Sequence, residues 1–283
     1  MQYVAEFRER GFAVIRAVFG PADISALGAA FDAVKAAGAI HAATFRHGNF
    51  LHAVSVDPQV GPVVRFVQWA AYRNSVLARV RSDARLLRLI EPLVGPNLKQ
   101  VTNTMIWKPP GATVTEFAYH QDGRFRRPAS AYRNVGSSAV QIAIAVDPHR
   151  PANGCMRMCA GSHRRGDLRL GITGSVYQTP CAEAALEAVG LDPEDLVDIV
   201  LEPGDVVLWH PHTVHGSHHN ASDGERRSYL NAYMVAADCD RGVWAWRDGV
   251  PCDLGEPVLL SYDALFERPE PHYVEASPRA FKP

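Results

Sequence analysis

Apolar and polar positions repeat with two different periods along this chain, and the change falls near residue 98. Before it, "GPADISALGAAFDAVKA" (residues 20–36) sets Ile24, Leu27, Phe31 and Val34 at helical spacing behind Pro21, with Gly38 as a stop. In "SDARLLRLIEPLVG" (residues 82–95) the leucines and Ile90 form one stripe, with Ser82 placed to cap the start and Gly95 to close the end. Both stretches predict amphipathic helices whose stripes face a core. From about residue 99 the texture becomes short β-rich runs: "KQVTNTMIWK", "SAVQIAIAV", "VDIVL", "GDVVLW" and "SYLNAYMVA". Clusters of Pro, Gly, Asn and Asp bound them, as in an antiparallel sandwich or barrel. One insertion, "PCAEAALEAVGLDPEDL", has a helical pattern between two of these strands.

No internal repeat, low-complexity tract or proline-rich linker divides the chain. The expected architecture is one domain over 1–283: an N-terminal helical part (about 1–98) packed on a double-sheet β core (about 99–240), then a C-terminal extension (about 241–283). The last stretch, "ERPEPHYVEASPRAFKP", is rich in proline and charge and is expected to run extended along the surface.

Composition narrows the partners. With 283 residues, 47% hydrophobic and 21% charged, the chain can bury a substantial core. Its 29 basic and 30 acidic residues leave a net charge of −1, so it carries no basic footprint for nucleic acid or anionic membrane. A small-molecule partner is expected, with no nucleic acid and no membrane; nothing in the sequence speaks to oligomeric state. The opening residues lack an apolar signal region and no later stretch reaches bilayer length, which predicts a cytoplasmic protein. Five cysteines without a CxxC pair fit reduced, mostly buried thiols.

Candidate chemistry concentrates in the β half. "FAYHQDG" places His120 and Asp122 two positions apart, and a strand would point both side chains to one face. They could hold a metal between them or form a solvated pair at a strand end. "WHPHTVHGSHHN" offers His210, His212, His215, His218 and His219, too many for one ion. One of these joined to His120 and Asp122 would make two imidazoles and a carboxylate, a set that suits non-haem Fe(II) because it leaves open positions. Zinc competes on ligand type alone.

Four stretches together resemble the phytanoyl-CoA dioxygenase family of Fe(II)- and 2-oxoglutarate-dependent oxygenases. They are "FRERGFAVIRAVFGPADISAL", "NTMIWKPPGATVTEFAYHQDGRF", "AVDPHRPANGCMRMCAGSH" (with Ala160 where the family usually has proline) and "EPGDVVLWHPHTVHGSHHNASDGERRSYLNAY". The resemblance implies a mainly β fold with flanking helices around a double-stranded β-helix, the jelly-roll or cupin-like core. It also implies that His215, followed by Gly216, Ser217 and Asn220, completes the Fe(II) ligand set with His120 and Asp122. The family's co-substrate arginine lies eleven positions past that histidine, which implies Arg226 for the far carboxylate of 2-oxoglutarate, or Arg227 if the loop shifts by one. Arginine suits the task because its fork grips a carboxylate through two charge-assisted hydrogen bonds. Ser217 and Lys108 match further co-substrate positions.

The implied activity uses O2 to hydroxylate an unactivated C–H bond of a small metabolite and releases succinate and CO2. Asp122 stands where halogenating relatives carry a small residue, so oxidation without halide is expected. Desaturation, cyclisation or epimerisation by the same centre is the alternative, and a non-catalytic metal-binding cupin-like module is a second. Arg124, Arg126, Arg127 and Arg133, interleaved with Phe125 and Tyr132, could receive a negative group on the substrate or could be a solvated face. Trp107, Tyr119 and Trp209 flank the motifs and are expected mainly to pack.

Overall fold

The computed structural model describes residues 1–38, 44–47, 50–171, 176 and 179–254. The chain opens with α1 (Gln2–Arg10), β1 (Phe12–Ile15) and α2 (Pro21–Gly38), then β2 (Phe45–His47), β3 (Phe50–Asp57) and β4 (Gly61–Gln68). Two short helices, α3 (Ser75–Val80) and α4 (Ala84–Val94), lead into β5 (Leu98–Lys108) and β6 (Phe117–His120). Next come α5 (Val135–Ser138), β7 (Ala139–Ala145), β8 (Arg157–Cys159), α6 (Ala184–Glu187), β9 (Leu196–Asp198), β10 (Val206–Trp209) and β11 (His215–Ser217). The described part closes with β12 (Arg226–Val235), β13 (Val243–Arg247) and β14 (Val250–Pro251).

The strands form two sheets. The large one runs β1-β10-β7-β12-β5-β4-β3-β2, with β13 paired to the start of β5 (Leu98–Gln100), short of the residues that pair with β4, and β14 on β13; the small one runs β6-β11-β8-β9. All pairings are antiparallel. The expected double-sheet core is therefore present.

Strand β7 shows why the sheets sit together. All its residues are buried and all but Gln141 are apolar, so it does not alternate between apolar and polar positions. Ile142 and Ile144 pack with Leu27 and Phe31 of α2, Leu77 of α3, and Leu86 and Ile90 of α4. Ala143 and Ala145 face the other way, into a second cluster with Val207 and Trp209 of β10, Met158 of β8 and Phe12 of β1. Small alanines let the two sheets approach, and the bulky residues on the opposite face anchor the helices. The helix stripes read from the sequence are thus the outer core layer.

Two expectations change. The cap of α4 is Asp83 rather than Ser82: the Asp83 carboxylate accepts from the Arg85 N–H at 2.8 Å. Residues 45–68, assigned above to the helical part, form β2, β3 and β4 and extend the large sheet. The signal was the "DPQVG" turn between two apolar runs; Asp57 holds that turn by accepting from the Gln59 and Val60 N–H groups. The tail "ERPEPHYVEASPRAFKP" lies outside the described residues, as does the extension beyond 254. Four cysteines are buried, Cys252 is half-buried and all five are free thiols. No described helix is long and apolar enough to cross a membrane.

Candidate metal centre

His120 is the last residue of β6, and Asp122 opens a 3-10 turn, Asp122–Phe125. The pair therefore does not lie on one continuous strand, as the sequence suggested; the chain breaks between them. β11 pairs with β6 so that His215 stands directly opposite His120, which brings the two rings to 4.3 Å between centroids. His120 Nε2 is 3.7 Å from Asp122 Oδ1, and His215 Nε2 is 3.5 Å from Asp122 Oδ2. One ligand atom from each of the three residues lies within 4.8 Å of the others, and among the described residues this is the group arranged to hold an ion.

The backbone presets both rings. His120 Nδ1 donates to the Ala118 carbonyl at 2.7 Å and His215 Nδ1 to the Thr213 carbonyl at 3.0 Å. A carbonyl can only accept, so each Nδ1 carries the proton and each Nε2 lone pair is available to an ion. Burial, helped by the neighbouring His215, lowers His120 to about 4 and keeps its imidazole neutral. Trp209 Nε1 donates to Asp122 Oδ2 at 2.8 Å, while Oδ1 accepts no hydrogen bond among the described residues. Gln121, buried between the two ligands, donates to the Gly166 and His212 carbonyls at 2.8 and 2.6 Å and accepts from the Leu168 N–H at 2.7 Å. Gly216 allows β11 to lie this close: a Cβ there would stand 2.9 Å from the Phe117 carbonyl and 3.0 Å from Cys181 Sγ.

The remaining histidines of the run have other partners. His210 Nε2 donates to the Gly136 carbonyl at 2.5 Å and its Nδ1 accepts from the His212 N–H at 3.0 Å. His218 and His219 lie at the rim, 3.7 and 3.3 Å from Glu116.

Beyond the triad, Arg226 and Arg227 part company. They are neighbours on β12, so their side chains leave opposite faces. Arg227 points to the helices, where it binds Asp147 through Nε at 2.8 Å and Asp32 of α2 through Nη1 at 2.9 Å. Arg226 is 2% exposed and stands directly opposite Lys108, itself fully buried. Nη1 of Arg226 donates to the Gly154 carbonyl at 2.6 Å and Nη2 reaches Ser228 Oγ at 3.3 Å, but its buried Nε has no partner. Lys108 Nζ contacts the Ser217 carbonyl at 3.3 Å and the His218 carbonyl. Burial, helped by the neighbouring Arg226 charge, pulls Lys108 far below the ordinary lysine range, and burial lowers Arg226 to about 10.

Neither cation makes an ion pair among the described residues. Two buried cations that meet no carboxylate among the described residues, one with an orphaned donor, could receive an anion, and a carboxylate is the bidentate acceptor whose shape would match such a seat. Ser217, two residues past His215, ties this seat to the ligand strand. Asn220 closes the loop that delivers Arg226 by donating to the Lys108 and Gly224 carbonyls at 2.8 and 2.7 Å.

Sequence reasoning missed Trp209 as a partner of Asp122, and Gln121 as a brace; no spacing rule announces either. Of the other aromatics, Trp107 packs on Phe31 at 4.7 Å between centroids, and the Tyr119 hydroxyl accepts from Arg157 at 3.0 Å.

The sequence profile of the phytanoyl-CoA dioxygenase (PhyH) family matches residues 7–228. Peroxisomal phytanoyl-CoA dioxygenase of Bos taurus is 26% identical over 245 residues, 82% of this chain and 67% of that protein. Dioxygenase lolE1 of Epichloe uncinata is 27% identical over 148 residues, 52% of this chain and 50% of that protein. The chain spans about half the length of most of the curated relatives it matches. In fold it resembles the epimerase SnoN from nogalamycin biosynthesis, solved with Fe3+, alpha ketoglutarate and nogalamycin RO, at a TM-score of 0.59, 22% identity and coverage of 93% of this chain and 95% of that one.

Proposed function

The chain belongs to the phytanoyl-CoA dioxygenase family, and from that premise we propose that it is an Fe(II)- and 2-oxoglutarate-dependent oxygenase that hydroxylates a C–H bond of a small molecule. The observation that carries the reading is the pairing of a His-Asp-His ligand set with two buried cations on β12 and β5 that meet no carboxylate among the described residues, one of them, Lys108, touching the Ser217 and His218 carbonyls just past His215. When bound, iron and 2-oxoglutarate supply the oxidising chemistry: O2 and 2-oxoglutarate are consumed, succinate and CO2 leave, and the substrate C–H becomes C–OH.

The residues do the rest. His120 and His215 would offer Nε2, each held in one tautomer by the carbonyl at its Nδ1. Asp122 would offer a carboxylate fixed by the Trp209 indole. Arg226 would receive the far carboxylate of 2-oxoglutarate through the fork edge that holds its orphaned Nε, with Lys108 and Ser217 beside it. An anion there restores favourable surroundings for two charges that burial now disfavours. The large sheet, apolar on this face through Ala143, Ala145 and Val207, keeps water from the seat.

A non-catalytic metal module would have no use for a buried Arg226 and Lys108 that meet no acidic partner among the described residues. Epimerisation, the activity named for SnoN, and other outcomes of the same centre differ from hydroxylation only in the product. The test is slow, substrate-free conversion of 2-oxoglutarate to succinate in air. It should require Fe(II) and disappear in His120→Ala; no succinate from iron-loaded wild type would overturn the reading.

A further inference from the structure

The four arginines that follow Asp122 have different fates in the fold. Arg126 is buried, and its Nη2 donates to Thr102 Oγ1 at 2.8 Å. Arg127 is exposed and turns back to the Arg126 carbonyl at 3.3 Å. Arg133 is held on Asp240 at 2.6 and 3.0 Å and on the Ala237 carbonyl at 2.7 Å. Arg124 alone of the four is uncommitted. It lies in the same 3-10 turn as Asp122, is half-buried, and among the described residues its side chain donates no hydrogen bond and meets no carboxylate.

Arg124 is also next to the metal ligands. Its guanidinium lies 5.7 Å over the Phe125 ring, and that ring packs edge-on against His120 at 5.7 Å. A second polar group faces the same region from the large sheet. Gln141 of β7 is 1% exposed and stands directly opposite Trp209, so both side chains share a face. Trp209 binds Asp122, whereas Gln141 Nε2 is buried without a partner among the described residues. A buried amide donor of this kind is unfavourable until an acceptor meets it.

We propose that the substrate carries an anionic oxygen group, a carboxylate or a phosphate, that docks on Arg124, and that Gln141 donates to a second oxygen of the same molecule. Two anchors from different elements, a turn carrying Asp122 and a strand beside Trp209, fix the orientation of the substrate before the metal. Charge is recognised at Arg124 and placement at Gln141. This substrate class rests on the iron and 2-oxoglutarate reading above.

The test uses the full chain with Mn(II) in place of iron and saturating 2-oxoglutarate, so that Arg226 is already occupied. Acetate and inorganic phosphate serve as probes, and the metal's effect on their 13C and 31P relaxation is followed with increasing probe concentration. The proposal expects a saturable effect for at least one probe, which also separates carboxylate from phosphate. Arg124→Ala should weaken it about tenfold or more, Arg124→Lys less, and Gln141→Leu about threefold, since a charge-assisted contact outweighs a neutral one.

Affinities for Mn(II) and 2-oxoglutarate should stay at wild-type values in all three variants. No saturable effect with either probe, or an unchanged affinity in Arg124→Ala, overturns the proposal while leaving the metal reading intact. Failure of wild type to bind Mn(II) with 2-oxoglutarate overturns both.

Discussion

Two groups of histidines lie close together in this fold, and only one is arranged as a ligand set. His120 and His215 face each other across β6 and β11; in the second group His163 and His210 lie 5.1 Å apart with tilted rings, and His210 and His212 5.4 Å apart edge-on. Burial lowers His120 and His210 alike, each to about 4. Neither burial nor proximity separates the groups.

The difference is which nitrogen is left over. In the first, a carbonyl takes each Nδ1 and both Nε2 atoms point at Asp122. In the second, His210 has both nitrogens engaged, by Gly136 and His212, and His163 Nε2 is 3.2 Å from the Arg8 carbonyl. A histidine's role follows from its hydrogen bonds before its ring position.

The largest test of that contrast is removal of one ligand. His215→Ala should lower metal affinity at least about a hundredfold, because the loss of a direct ligand exceeds the usual effect of an outer partner; calorimetric titration with Fe(II) or Mn(II) reads it. A smaller change would place the ion elsewhere. The same logic applies to the adjacent arginines. Arg226→Ala should raise the 2-oxoglutarate dissociation constant about thirtyfold or more, for loss of a charge-assisted contact in a buried seat, whereas Arg227→Ala should leave it unchanged. Arg227→Ala should instead lower stability by about 1 kcal/mol through its lost pairs with Asp147 and Asp32, seen in thermal unfolding.

Two finer substitutions sharpen the picture. Trp209→Phe keeps the packing but removes the donor to Asp122, and should weaken metal binding about tenfold with little loss of fold stability. His210→Ala should leave metal affinity at its wild-type value and lower stability by about 1–3 kcal/mol, because the Gly136 carbonyl and the His212 N–H lose their partner. If His210→Ala released the metal, the distinction between the two groups would fail.

Much of this was legible beforehand, for physical reasons that can be named. The helix stripes of α2 and α4 and the five core strands follow from periodicity, which records burial directly. The His120, Asp122 and His215 set came from a resemblance in motif and spacing, and the fold adds the convergence. The eleven-residue spacing of the resemblance favoured Arg226 but left Arg227 open to a one-residue shift; strand alternation, with Lys108 opposite Arg226 and Trp107 opposite Arg227, separates their surroundings. Residues 45–68 were missed because their strands complete an edge whose neighbour, β5, lies about forty residues on, and a local pattern does not reveal a long-range partner. Trp209 and Gln121 act through contacts between elements, so no local reading could assign them.

The most direct test of the account is an anaerobic titration of the metal-free protein with Fe(II) and then 2-oxoglutarate, following the visible metal-to-ligand charge-transfer band. The account predicts a band in wild type, none in His215→Ala, a need for far more 2-oxoglutarate in Arg226→Ala and a wild-type titration in Arg227→Ala. No band in wild type, with zinc held in its place, would contradict it.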